Sequence, residues 1–439
     1  MNLKLRLIAM LAVTAVSAGP AFAQEDGGSV LIKGARIFDG EKSLSPRDVL
    51  VTDGRIARVS RTIRAPEGIV TIDGRGKTLL PGLMDAHVHI FPTAAADALR
   101  FGVTTEFDMF TLSDPATAAA RRSQRASFRH TREADVWSAG RGVTLPGAHP
   151  TGLAKSFGVD IPTLAETGDA KAFVNAEVAE GSDYIKAFQD TSPRDGKPRF
   201  PEYSERQLGA IINAAHGAGR KIIVHVSQEK DAALAFRLGA DALAHMFDDK
   251  PASPVTVQLA KQNNATIIGT LSVLAGAAGD KTGERVAADP AIEHFLSPAQ
   301  KGMLAQKFPR TRATVLLNAL ESARRFHRAG VRILAGTDAP NPTTAHGPSM
   351  HAELELLVRA GMTPSEALRA ATSNVADFFQ LEDRGRIAPG KRADLLLVRG
   401  DPATDITRTR NIVQVWKNGF AVDRTKLPTM PSVPRASGN

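Results

Sequence analysis

Apolar and polar residues alternate in short bursts near the start of the chain. Residues 30–38, 48–52, 55–60 and 70–73 read as strands, and Asp53-Gly54 between the second and third is a two-residue hairpin signal. The same texture returns near the far end, at 393–398 and 412–417, the latter running into a second hairpin signal, Asn418-Gly419. Between these regions short apolar strands alternate with segments of helical period, which predicts a parallel α/β sheet. Eight candidate strands lie near 83–89, 103–109, 135–139, 183–188, 221–226, 242–246, 266–270 and 331–337. Helical stretches such as 205–218, 230–238 and 363–372 fall between or after them, and Gly219, Gly239 and Gly330 sit where helices should stop. Eight strands in this span predict a closed (β/α)8 TIM barrel over residues 81–380. The flanking strands predict one small β-sandwich domain built from both chain ends, residues 24–80 and 381–439. Two long connections, 189–203 and 272–298, follow strands on the face where barrel enzymes bind substrate; each reads as a lid or as a plain surface excursion.

The first residues add a destination. Lys4 and Arg6 precede an apolar run over 7–16, and Ala21-Phe22-Ala23 stands before Gln24, the layout of a secretory signal peptide over residues 1–23. Cleavage after Ala23 and a secreted or periplasmic mature protein are expected. The run is too short for a bilayer of about 30 Å, and no later stretch is long and apolar enough, so no membrane contact is expected after cleavage. The net charge is +9, yet acidic residues are spread throughout and no basic run or stacking motif supports nucleic-acid binding. A small-molecule substrate is the expected partner, and a homo-oligomer is compatible with the chain. Cysteine is absent, which excludes disulfides, thiolate zinc sites and a cysteine nucleophile. Any metal must sit on His, carboxylate or modified Lys.

Candidate chemistry gathers at the strand ends. In Asp85-Ala86-His87-Val88-His89 the two histidines are two apart on a strand, so both can face one ion. His225 and His245 each end an apolar strand with one helical segment between them, which would bring both imidazoles to the same rim. Neutral imidazole suits zinc and related divalent ions. Asp338, after the apolar strand and Gly336-Thr337, can bind metal and accept a proton from bound water, or can simply cap a turn before Pro340. Lys186 is a basic residue within an apolar strand. It reads as a snorkelling or substrate-binding ammonium, or as a neutral amine modified by CO2 whose carboxylate bridges two metals.

These segments, in this order, resemble the amidohydrolase superfamily from about residue 30 to 419. The matching motifs are His87-Val88-His89 after Pro81-Gly82-Leu83, Tyr184-Ile185-Lys186, Val224-His225, Ala244-His245, Gly336-Thr337-Asp338, His346-Gly347 with Glu353-Leu354, and the run from Gly385 to Leu395. Within it the chain is similar to the imidazolonepropionase-like branch that includes Xaa-Pro dipeptidases and ochratoxin-cleaving amidohydrolases. The resemblance implies a site with two divalent metals, zinc being the first expectation. His87, His89 and Asp338 would hold the more buried ion and His225 and His245 the more exposed one, with carboxylated Lys186 and a hydroxide between them. It also implies metal-dependent hydrolysis of an amide or peptide-like C–N bond in an N-acyl amino acid, dipeptide or related small amide, Asp338 being the catalytic base.

An esterase or lactonase would use the same centre. A deaminase would use one metal and a separate acid, against which Lys186 stands, and a non-enzymatic metal or solute binder would not need a ligand set with its own base. For substrate, His149, Arg141 and Tyr184 can hold a carboxylate or carbonyl or can be structural, and His346 joins them as a candidate. His130, His216, His294 and His327 sit in polar or helical contexts without an assigned role. Aromatic residues are few and spell no stacking code.

Overall fold

The computed structural model describes residues 28–429 except 113, 166–167 and 195–196; the expected signal peptide lies outside the described residues. Eight parallel strands form the centre, within one or two residues of the positions their apolar pattern predicts at most ends. Leu83–Val88, Val103–Asp108 and Asp135–Ser138 pair in chain order in one sheet. Ile185–Gln189, Ile222–Val226, Ala242–Ala244, Thr266–Ile268 and Arg332–Leu334 pair in chain order in a second. Among the helices between them, Glu205–Gly217 turns Leu208, Ile211, Ile212 and Ala215 inward behind a Ser204/Gln207 capping box. Gly219, Gly239 and Gly330 all adopt positive φ, the left-handed turn that ends a helix.

In place of one continuous eight-stranded ladder, the sheets meet at two seams. Val143 bridges Ala187 and Val88 bridges Ala339, both in parallel sense. Backbone bonds continue across them: Val143 N donates to Lys186 O (2.7 Å), and Asp338 N and His89 N donate to His87 O (2.8 Å) and Ala339 O (2.7 Å). The ladder breaks there because the chain leaves regular strand geometry, with Gly142 and Asp338 at positive φ. Gly336 lets the second seam close, since a Cβ on it would stand 2.9 Å from His87 Cβ and 3.0 Å from His87 N.

Both chain ends do join, as one eight-stranded sheet rather than two facing sheets. Its order is Phe420–Ala421, Ile412–Lys417, Leu395–Arg399, Lys77–Pro81, Val30–Phe38, Ser43–Thr52, Arg55–Ser60, with Thr71–Asp73 also pairing Val30–Phe38. Register shifts along Val30–Phe38 bend it, and Ile32, Val51, Leu79, Leu395 and Trp416 share one apolar cluster. Asp53-Gly54 and Asn418-Gly419 all have positive φ, so both expected hairpin turns form. The strand Lys77–Pro81, which joins the two ends, has no counterpart in the sequence-based expectation. The stretch 272–298 is not a loop: it carries helices Leu271–Ala278, Thr282–Ala287 and Pro290–Glu293, as an alanine-rich segment with an Asp289 cap and a Gly279 stop favours. The stretch 189–203 holds a small hairpin, Pro193–Arg194 against Lys197–Pro198. Among the described residues no helix is long and apolar enough to cross a membrane.

Candidate metal centre

Because the central strands are parallel, their C-terminal ends share one rim, and the register brings chemistry together there. Lys186 pairs beside Ile223, and His225 lies between Phe188 on one side and Ala244 on the other. His245 and Asp338 follow their strands at positive φ, at 74° and 58°. Non-glycine residues rarely hold that conformation unless their surroundings enforce it, and such residues gather at functional sites.

The ring centroids of His87 and His245 are 4.5 Å apart, His245 and His225 4.6 Å, and His87 and His89 5.5 Å. One carboxylate sits among them. Asp338 Oδ1 is 3.2 Å from His87 Nε2 and 3.0 Å from His89 Nε2, and Asp338 Oδ2 is 3.8 Å from His245 Nδ1. Ligand atoms of His87, His245 and Asp338 all lie within 4.8 Å of one another. Both ring nitrogens of His87 and Asp338 Oδ1 are buried without a hydrogen bond, so the 3.2 Å contact is close but not aligned as one. Buried polar atoms normally find partners, and the two orphans that face each other, His87 Nε2 and Asp338 Oδ1, fit a cation that is chelated by imidazole and carboxylate. The donor set, nitrogen and oxygen without sulfur, suits zinc, manganese or a similar divalent ion.

Burial, the nearby Lys186 ammonium and His89 oppose a charged His87 more than Asp338 favours it, so His87 falls to about 3 and is a neutral imidazole at pH 7. Burial also drives His245 and His225 well below the ordinary imidazole value. For Asp338 burial would raise the value, but His245 and His87 outweigh it and hold the carboxyl well below its usual range. Lys186, almost fully buried in its strand, is lowered to about 7 by burial, against the pull of Asp338. Half-neutral amines near neutral pH are nucleophilic.

A supporting layer surrounds this group. Asp85, which burial and Glu106 push up to about 8, accepts from Thr337 N (3.0 Å), Thr337 Oγ1 (2.7 Å) and His87 N, tying the first central strand to the last beneath the site. Thr270, at φ 46°, places Oγ1 2.9 Å from His245 Nδ1. The turn that carries Thr270 is anchored by buried Glu353, which accepts from Leu271 N (3.0 Å), Ser272 N (2.7 Å) and Ser272 Oγ (2.8 Å). Asp190, held by Ser227 Oγ at 2.8 Å and Ser192 N, faces His225 electrostatically. Thr270, Asp190 and the roles of Asp85 and Glu353 were not anticipated from sequence; for Glu353 the signal was its place in the His346-Gly347 motif.

The four substrate candidates separate. His149 stands beside the centre, its ring 5.2 Å from His225, and burial lowers it to about 4. His346 lies behind His89, with Nδ1 2.7 Å from Glu106 Oε1 and Nε2 3.2 Å from His89 O, so its ring is engaged on both sides. Tyr184 is packed among Phe107 and Phe379 and donates its phenol to Asp108 O at 2.9 Å. Arg141 pairs with Glu180 at 3.1 Å, and its backbone N donates to Glu177. The structure does not bring Tyr184 and Arg141 to the centre, because nearer partners claim both side chains.

Parallel strands delivering histidines and one aspartate to a buried rim define an α/β protein with a metal-type centre. Residues 195–422 match the amidohydrolase family, a span that holds His225, His245 and Asp338. The chain belongs to the amidohydrolase family and is, by that membership, a hydrolase. It is 26% identical to the ochratoxinase of Aspergillus niger over 259 residues, 57% of this chain and 48% of that protein, so the alignment spans about half of that relative. It is 27% identical to the imidazolonepropionase of Salinispora arenicola over 369 residues, 80% of this chain and 85% of the relative. In fold it is similar to molinate hydrolase, with a TM-score of 0.72 at 23% identity, covering 94% of this chain and 99% of that one. A Xaa-Pro dipeptidase with bound methionine gives a TM-score of 0.69 at 23% identity, over 90% and 99% of the two chains.

Proposed function

We propose that the protein hydrolyses an amide or peptide-like C–N bond in a small substrate, with divalent metal, zinc first, that His87, His89, Asp338, His225, His245 and a carboxylated Lys186 would hold. The observation that carries this reading is the facing pair of orphans, His87 Nε2 and Asp338 Oδ1, 3.2 Å apart and buried at the strand-end rim. When bound, such an ion acts as a Lewis acid and brings the pKa of a coordinated water down to about 7. The chain's own residues do the rest. Asp338, ionised at neutral pH, takes a proton at Oδ1 or Oδ2 and returns it to the leaving amine. Thr270 fixes the orientation of the His245 ring from Nδ1, and the neutral ring of His149 offers a hydrogen bond to a substrate carbonyl or carboxylate.

In this reading the two central sheets close into one (β/α)8 barrel over residues 81–380; the backbone bonds at both seams support that. The described residues within 24–80 and 381–439 make the accompanying β domain. The chain is exported after loss of residues 1–23, and Gln24 at the start of the exported product is the corresponding check.

Elemental analysis of the purified protein should find close to two divalent ions per chain. Activity against N-acyl amino acids and dipeptides should vanish with chelator and return with zinc. Asp338→Asn should fold and still lose most turnover, with metal content measured in the same sample. Trace metal with full activity in chelator would sink the proposal; hydrolysis of esters or lactones alone would move it to that bond class.

A further inference from the structure

Among the described residues, three of the large apolar side chains left exposed belong to one patch beside the metal centre. Phe91 is 42% exposed, Leu153 47% and Phe157 54%. Leu153 and Phe157 are four apart on the helix Thr151–Ser156 and its C-terminal cap, so they share a face, and the Phe157 ring is 6.1 Å from that of Phe91. Each side of the patch is attached to a residue of the centre: Phe91 follows His89 by two residues, and the helix begins two residues after His149. Exposed apolar side chains gathered at one place mark a ligand or partner surface more often than ones scattered singly.

The patch continues inward. Ala154, on the buried side of the same helix, packs with Phe110 and Phe188. The Phe110 ring is 6.0 Å from Phe188 and 6.4 Å from His89, while Phe188 is 5.6 Å from His149 and 6.1 Å from His225. An apolar wall therefore runs from solvent to the imidazoles. Arg141, one of the residues that could have held a substrate carboxylate, is turned away toward Glu180.

We infer that Phe91, Leu153 and Phe157 form a subsite for a large apolar group on the substrate, making hydrophobic amides, rather than small polar ones, the substrate class of this centre. The inference rests on the hydrolase reading above. The occupant is the substrate because the wall is continuous with the centre; a second copy of the chain or a lipid surface would have no need of the inner rings.

Three matched compounds test it with the metal-loaded full chain: N-acetylalanine, N-acetylphenylalanine and N-benzoylalanine, which enlarge neither side, the amine side or the acyl side of one amide. At least one enlarged compound should exceed N-acetylalanine by about tenfold or more in kcat/KM, and a Phe91→Ser/Phe157→Ser double variant should lose that advantage. Calorimetric binding of the same compounds to Asp338→Asn should show the same preference and the same loss without any turnover. Equal kcat/KM and equal binding across the three overturn the inference, as does a preference that survives in the double variant. If nothing is hydrolysed but the binding preference stands and the double variant abolishes it, the hydrolase reading fails and the apolar subsite remains. A double variant that changes only the sedimentation of the protein, dimer to monomer, assigns the patch to a second copy and overturns it.

Discussion

Lys186 concentrates the chemistry of the centre in one side chain. Its amine is buried among His87, His225, His245 and Asp338, and burial brings it to about 7, so a large share is neutral at physiological pH. A neutral amine can react with CO2 and present a carboxylate where an ammonium would repel cations. Lys186→Ala should therefore lose part of the bound metal and most of the activity, and a short carboxylic acid added in solution should restore some of both. An ammonium that only grips substrate predicts something else: unchanged metal content, a raised KM and no rescue. Full metal occupancy in the variant with the loss confined to KM would retire the bridging role.

At the scale of the element, the centre depends on strand ends that leave β geometry in a controlled way. His245, Thr270 and Asp338 all sit at positive φ, at about 1–3 kcal/mol each for non-glycine residues, and each is held there by its surroundings. For Thr270 the holder is Glu353, whose two oxygens receive the first amides of the helix Leu271–Ala278. A glutamine would turn its amide NH2 toward one of those donors, so Glu353→Gln should cost about 1–3 kcal/mol and loosen His245. Burial raises Glu353 to about 7 from its ordinary 4.5, so the folded form keeps a proton that the unfolded chain has released. Its contribution to stability is then greatest at and below pH 4.5 and declines as pH rises toward 7. The melting advantage of the parent over Glu353→Gln should shrink from pH 5 to pH 8; a constant difference would deny the raised value.

The same elements mark what could be read from the chain beforehand. The histidines and Asp338 were legible because a ligand at the end of an apolar strand is a local pattern, and parallel strands share a rim. Glu353 meets Leu271 across 82 residues, and Asp85 meets Thr337 across 252, separations over which no period carries information. Lys77–Pro81 is hidden for the same reason: five residues after a glycine turn carry little pattern, and its two partner strands, Val30–Phe38 and Leu395–Arg399, are fixed only by the fold. Arg141 and Tyr184 sit beside promising strands, but Glu180 and Asp108 O, fixed only by the fold, decide where they point.

For the whole molecule, one buried ionic cluster fastens the terminal sheet to the central strands. Lys417 Nζ reaches Asp135 Oδ2 and Asp394 Oδ2, both at 2.8 Å, and Arg384 Nη1 reaches Asp135 Oδ2 at 2.6 Å, all with side chains nearly inaccessible. Asp135 opens the third central strand, Lys417 closes a strand of the terminal sheet, and Asp394 precedes another. Removing one member strands the opposite charges, so Lys417→Met should lower unfolding stability by about 3–5 kcal/mol in a denaturant titration. Adding Asp394→Asn should recover part of that loss, because it removes a carboxylate left without its cation. Strictly additive losses would mean that Lys417 and Asp394 are not coupled.

The pairing of Lys77–Pro81 with Leu395–Arg399 also sets an order of assembly during synthesis. The first of these strands leaves the ribosome early, and at about 5–20 residues per second the second follows roughly a quarter of a minute to a minute later. Throughout that interval one edge of Lys77–Pro81 has no strand to accept its hydrogen bonds, while every central strand between them is already being made. Unpaired edges invite pairing with other chains. The nascent protein is thus most open to a wrong neighbour late in translation, and the strand that ends the danger is among the last to appear.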